Sequence, residues 1–126
     1  TFDAATHPET ELEAKIRAAD CISIHIPLMP ETHDYFDAKK FAWMKDGAAL
    51  VNTARGPIVD EDALFDELAS GRLRAAFDVF WQEPYRGKLM DLPADRFIRS
   101  PHIASTCEDF IQGAAGDFLA LLEELK

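Results

Sequence analysis

The stretch Ala48-Ala49-Leu50-Val51-Asn52-Thr53-Ala54-Arg55-Gly56-Pro57 decides the fold. Its first four residues are apolar without a break, which is how a strand buried on both faces of a sheet reads. Asn52 to Pro57 then reads as a tight loop, rich in turn formers. Strands of this kind belong to parallel sheets and need helical connections on either side. Upstream, Asp37 can cap a helix from Ala38 to Lys45, with Phe36 and Phe41 at hydrophobic-staple spacing and Gly47 as the stop. Downstream, Asp60 can cap a helix whose first turn carries Glu61 and Asp62 and whose buried stripe is Leu64, Phe65 and Leu68.

Further outward the alternation continues. Isoleucines recur at every second position in Cys21-Ile22-Ser23-Ile24-His25-Ile26-Pro27, which predicts a strand ended by Pro27. A helix from Glu9 to Arg17 precedes it. Arg74 to Val79 reads as a strand, Gln82 to Ala94 as a long loop, and Phe97-Ile98-Arg99 as a short strand. Ser105 or Thr106 then caps a last helix with Phe110, Ile111, Ala114, Phe118, Leu121, Leu122 and Leu125 on one broad face. Strands alternating with helices imply an α/β fold with a parallel sheet and right-handed crossovers. In such sheets ligands bind beyond the carboxyl ends of the strands.

Bulk composition narrows the chemistry. At 126 residues, 48% of them hydrophobic, the chain is one globular domain with material for a core. Thirteen basic residues against 23 acidic ones give a net charge of -10. That field repels nucleic acid and anionic membranes, so neither is an expected partner. It also repels an anionic substrate, whose site therefore needs its own cation. The two cysteines, Cys21 and Cys107, have neither zinc spacing nor a disulfide framework, which points to a reducing cytoplasm and to no metal.

Four loops follow four strands: His25-Ile26-Pro27, Asn52 to Gly56, Asp78 to Pro84, and Pro101 to Ser105. The parallel plan brings them to one edge, and with them an arginine, two carboxylates and a histidine. A guanidinium can grip a carboxylate at two points. A histidine beside a carboxylate gives or takes protons near neutral pH. Together these groups suit redox or acid-base work on a small carboxylic acid.

The same loops carry a family resemblance. Val51-Asn52-Thr53-Ala54-Arg55-Gly56-Pro57-Ile58-Val59-Asp60-Glu61 resembles the long motif of the D-isomer-specific 2-hydroxyacid dehydrogenases. Pro27-Leu28-Met29-Pro30-Glu31-Thr32, Asp78-Val79-Phe80-Trp81-Gln82-Glu83-Pro84 and Ser100-Pro101-His102-Ile103-Ala104-Ser105 resemble three others, in family order. The resemblance covers residues 20 to 126 and implies an NAD-dependent oxidoreductase, with NADP possible, acting on a small 2-hydroxy or 2-oxo carboxylic acid. It implies that Arg55 binds the substrate carboxylate, His102 is the acid-base residue, and Glu83 pairs with that histidine and favours its charged form. It places Ile26, Thr53, Ala54, Asp78, Ile103, Ala104 and Ser105 against the cofactor, alongside Arg55 and His102. Asp3, after an aromatic residue, matches the ribose-binding acid. Formate dehydrogenases of the superfamily have a glutamine where this chain has Glu83, so a 2-hydroxy acid is favoured over formate.

The resemblance also implies what lies outside these residues. It makes residues 1–126 the C-terminal portion of an NAD(P)-binding Rossmann domain: a partial, doubly wound sheet whose first strand and Gly-rich loop, like the N-terminal substrate domain, are absent. Thr1-Phe2-Asp3 accordingly reads as the tail of an element begun upstream. Without the first strand, two halves of the sheet are expected to lack a common neighbour, and the exposed edges to pair in a homodimer. The 126 residues alone are expected to bind NAD weakly and turn over little. A catalytically inactive dinucleotide-binding or interaction module is the alternative. His25, inside its predicted strand, reads as structural, His7 and His33 as surface residues, and Trp43 and Trp81 as packing residues, with Trp81 near enough to the expected site to touch substrate.

Overall fold

The structure, a computed structural model, describes residues 8–103. Strands β1 (Cys21–Ile24), β2 (Ala49–Asn52), β3 (Arg74–Phe77) and β4 (Phe97–Arg99) form one parallel sheet in chain order. Helix α1 (Glu9–Ala18) leads into β1, α2 (Ala38–Trp43) joins β1 to β2, and α3 (Glu61–Ala69) joins β2 to β3. A long connection with one 3-10 turn, Lys88–Asp91, joins β3 to β4. The fold is the α/β parallel, Rossmann-like one expected. The described strands β1 to β4 run in one direction as neighbours without a gap, and the expected split, which falls upstream of β1, lies outside the described residues. Any reversal of strand order lies outside these residues, as does the helix expected after Ser105.

Local chemistry sets the helices. Asp37 accepts from the Lys40 amide at 3.0 Å, and the Phe36 and Phe41 rings meet edge to face at 5.0 Å, closing the staple. Asp60 accepts from the amides of both Asp62 and Ala63 at 3.0 Å. Helix α2 stops at Trp43, two residues before its expected end. Arg72 takes over its last carbonyls, donating to Phe41 O and Met44 O at 2.8 Å while its Nε holds Glu67 of α3 at 2.6 Å.

Helix α2 packs on both α1 and α3, so the three form one layer. This follows from right-handed crossovers between strands added in a single direction. The register aligns Ile22, Leu50, Ala75 and Phe97, then Ile24, Asn52, Phe77 and Arg99, on one face. Most of that face is buried, with Phe41, Leu64 and Leu68 in the same core. Each fully buried Leu or Phe there contributes about 1.5–3 kcal/mol. The opposite face is barer: Val51 is half-buried and Ile98 is 64% exposed. The expectation that β2 is buried on both faces is therefore corrected, because all three described helices lie on the other side.

Candidate functional site

The loop after β2 is built from the inside. Asn52 is fully buried at the strand end. Its side chain accepts from the Ala54 amide at 3.0 Å and donates to Arg55 O at 2.9 Å, folding the loop around itself. Gly56 then meets the next loop: a Cβ there would lie 2.1 Å from the Phe80 carbonyl carbon and 2.4 Å from Trp81 N. Only glycine allows this approach. Arg55 is left at the exposed rim, its Nη1 donating to Ala54 O at 2.6 Å.

The loop after β3 is pinned by Trp81, which stacks on Phe77 and donates to Val59 O at 2.8 Å. Packing is thus its role, as expected. Two residues on, Glu83 accepts from the Phe80 amide at 3.3 Å and reaches the loop after β4. Its two oxygens lie 2.8 and 3.0 Å from Nδ1 of His102. The hydrogen bond from His102 holds the Glu83 carboxyl below its ordinary value of 4.5, helped by the Phe80 amide and the Arg55 charge. Arg55, Glu83 and His102 therefore share one electrostatic site. Asp78, just past β3, is buried and accepts on Oδ1 from Ser100 Oγ at 2.5 Å and from the Ile103 amide at 3.1 Å.

The loop after β1 departs from expectation. The strand stops at Ile24, so His25 lies outside it and is exposed, with Nε2 2.7 Å from Ser23 Oγ. Parallel pairing to β2 ends there, because β2 itself turns away after Asn52. Thr32 steadies the following turn, donating to Pro27 O and accepting from the Met29 amide, both at 2.7 Å. His25, Ile26, Pro27, Leu28, Thr53, Ala54 and Arg55 line a hollow of about 580 Å³ at the strand ends. Glu83 borders a separate, mainly apolar hollow of about 540 Å³ with Phe80, Tyr85, Met90 and Ser100.

Thus Ile26, Thr53, Ala54 and Arg55 share one hollow, while Asp78, Glu83, His102 and Ile103 join through hydrogen bonds beside it. Asp3, Ala104 and Ser105 lie outside the described residues. Among the described residues no group of His, Cys, Asp or Glu could hold a metal ion. Sequence reasoning passed over Asn52, Gly56 and Ser100. An asparagine between an apolar run and a loop is a turn signal that could have marked Asn52. The other two depend on through-space neighbours.

Residues 1–104 match the model of the D-isomer specific 2-hydroxyacid dehydrogenase, NAD binding domain. The chain belongs to this family. Hydroxypyruvate reductase of Thermotoga maritima is 43% identical over 104 residues, which are 78% of this chain and 33% of that protein. The holo crystal structure of Rhodotorula graminis D-mandelate dehydrogenase matches with a TM-score of 0.72 at 38% identity, over 80% of this chain and 29% of that one. A D-isomer specific 2-hydroxyacid dehydrogenase from Xanthobacter autotrophicus, in complex with NADPH and MES, matches with a TM-score of 0.70 at 35% identity, over 75% and 31%. The chain spans about a third of the length of the curated relatives it matches. Within this NAD-binding family, the hollow at the ends of β1 and β2 offers apolar walls from Ile26, Pro27, Leu28 and Ala54 beside the polar Thr53. That mixture fits a flat, amide-bearing ring.

Proposed function

We propose that the protein to which this chain belongs transfers a hydride between a nicotinamide dinucleotide and a small D-2-hydroxy acid or its 2-oxo counterpart. The observation that carries this reading is the contact of His102 Nδ1 with both oxygens of Glu83, inside the field of Arg55. Arg55 is the local cation that a chain of net charge -10 needs to draw in a carboxylate. Its guanidinium binds the substrate carboxylate and polarises the adjoining carbonyl. With Nδ1 engaged by Glu83, the imidazole presents Nε2 to the substrate oxygen. In reduction, His102 donates the Nε2 proton to that oxygen, and in oxidation it takes the proton back. While the ring carries that proton, its positive charge rests beside the Glu83 carboxylate; once the proton is given up, the ring is neutral.

A reduced nicotinamide would supply the hydride that, with this proton, turns the 2-oxo group into a hydroxyl. Ile26, Thr53 and Ala54 would line its place, with Asp78 and Ile103 at its border. Asp3, Ala104 and Ser105 complete the cofactor set by family resemblance, with NAD the expected form and NADP possible. The exposed free thiol of Cys21 supports a reducing, cytoplasmic setting, and no helix among the described residues is long and apolar enough to cross a membrane. For the 126 residues by themselves a homodimer through the edge of β1, which has no strand partner among the described residues, is the proposed assembly, and light scattering distinguishes one copy from two.

The test is steady-state turnover of the full-length protein with glyoxylate, hydroxypyruvate, pyruvate and 3-phosphohydroxypyruvate. His102→Ala is expected to lower kcat by about 10²–10⁴-fold. Parental turnover in that variant would overturn the reading.

A further inference from the structure

Asp78 is only 5% exposed, and a carboxylate so buried must be supplied with donors. Two donors to its Oδ1 come from the loop after β4: Ser100 Oγ at 2.5 Å and the Ile103 amide at 3.1 Å. They bracket His102, Ser100 two residues before it and Ile103 one after. Between them the chain passes through Pro101 and then through His102 at φ 56, the left-handed region that disfavours a residue with a Cβ. Such a conformation persists only where its surroundings impose it. Here the two ends of the bend are tied to one carboxylate, while the ring is tied to another through Nδ1.

We infer that Ser100 is a positioning residue, forming with Asp78 a latch that holds the His102 bend and so keeps the imidazole against Glu83. This rests on the proposed role of His102 and extends it to the hydroxyl bonded to Asp78. The latch is separable from the fold. The Ser100 amide donates independently to Phe77 O at 3.0 Å, and Phe97 of β4 is almost wholly buried. Loss of the hydroxyl therefore leaves the strand in place and relaxes only the bend.

The experiment compares Ser100→Ala and Ser100→Thr in the full-length protein by two readouts: steady-state kinetics, and the titration of the Glu83 carboxyl by carbon NMR. Ser100→Ala is expected to lower kcat by about ten- to a hundred-fold, the scale set by small misplacements of a reacting group. The KM for the dinucleotide should stay within about two-fold of the parent, since Ser100 does not line the hollow of Thr53 and Ala54. The Glu83 midpoint should move up toward the ordinary carboxylate range as His102 drifts away. Ser100→Thr, which keeps the hydroxyl, should restore both. Parental kcat and a parental Glu83 midpoint in Ser100→Ala would overturn the latch. His102→Ala in parallel separates the two ideas: if it keeps full turnover the acid-base reading fails, whereas the Glu83 titration still reports on the latch.

Discussion

The loops that present Arg55 and His102 are held by opposite means. The arginine loop is welded into the core: Asn52 is fully buried beneath it, and Gly56 leaves no gap against the Phe80 backbone. The histidine loop is exposed from Pro101 to Ile103 and is tied down by two carboxylates, Asp78 at the backbone and Glu83 at the ring. The first loop should tolerate pH and fail on any change of size. The second should tolerate size and respond to charge. The proposed roles, Arg55 gripping a substrate and His102 moving a proton, give this division a reason. In the proposed roles the gripping group benefits from rigidity, and the proton-moving group benefits from a partner that holds its ring in place.

The sharpest way to break the comparison is Gly56→Ala. The new methyl would collide with backbone, which cannot rotate aside, so a loss of about 3 kcal/mol in urea unfolding is expected. A variant as stable as the parent would mean that the two loops are not in contact. Asn52→Ala should act in the same direction but less, by about 2 kcal/mol, because it leaves the Ala54 amide and the Arg55 carbonyl without their shared partner. The same unfolding curves measure it, and an unchanged midpoint would show that the arginine loop holds its shape by packing alone.

The smallest effect belongs to the histidine loop and is read by pH. The Glu83 carboxyl is held below 4.5, first by the His102 hydrogen bond. A depressed carboxylate contributes stability that is present above its ordinary value and is lost as pH falls through its folded value. The His102–Glu83 contact should therefore survive down to pH values below 4.5 and dissolve beneath them. Carbon NMR of the Glu83 carboxyl should give a midpoint below 4.5 in the parent and a higher one in His102→Ala. A parental midpoint at or above 4.5 would contradict the pairing.

Much of the site could be read in advance for a simple reason. Parallel strands all end at one edge, so Arg55, Asp78, Glu83 and His102 had to share it once the alternation of elements was read. Which of them touch was another matter. The Glu83–His102 and Asp78–Ser100 contacts span 19 and 22 residues of chain, beyond the reach of any local pattern. His25 illustrates the reverse failure: its place in an alternating run suggested a strand interior, but the pairing partner that would make it one turns away after Asn52.

The amino-acid order alone determined the caps at Asp37 and Asp60, the staple of Phe36 on Phe41 and the succession of strands and helices, because each depends on groups a few residues apart. Tertiary structure alone decided that the described helices cover one face of the sheet, that Gly56 must be bare, and that one buried carboxylate holds the bend at His102. Those outcomes depend on which surfaces meet after distant segments pack, a matter of shape and burial that no single segment carries.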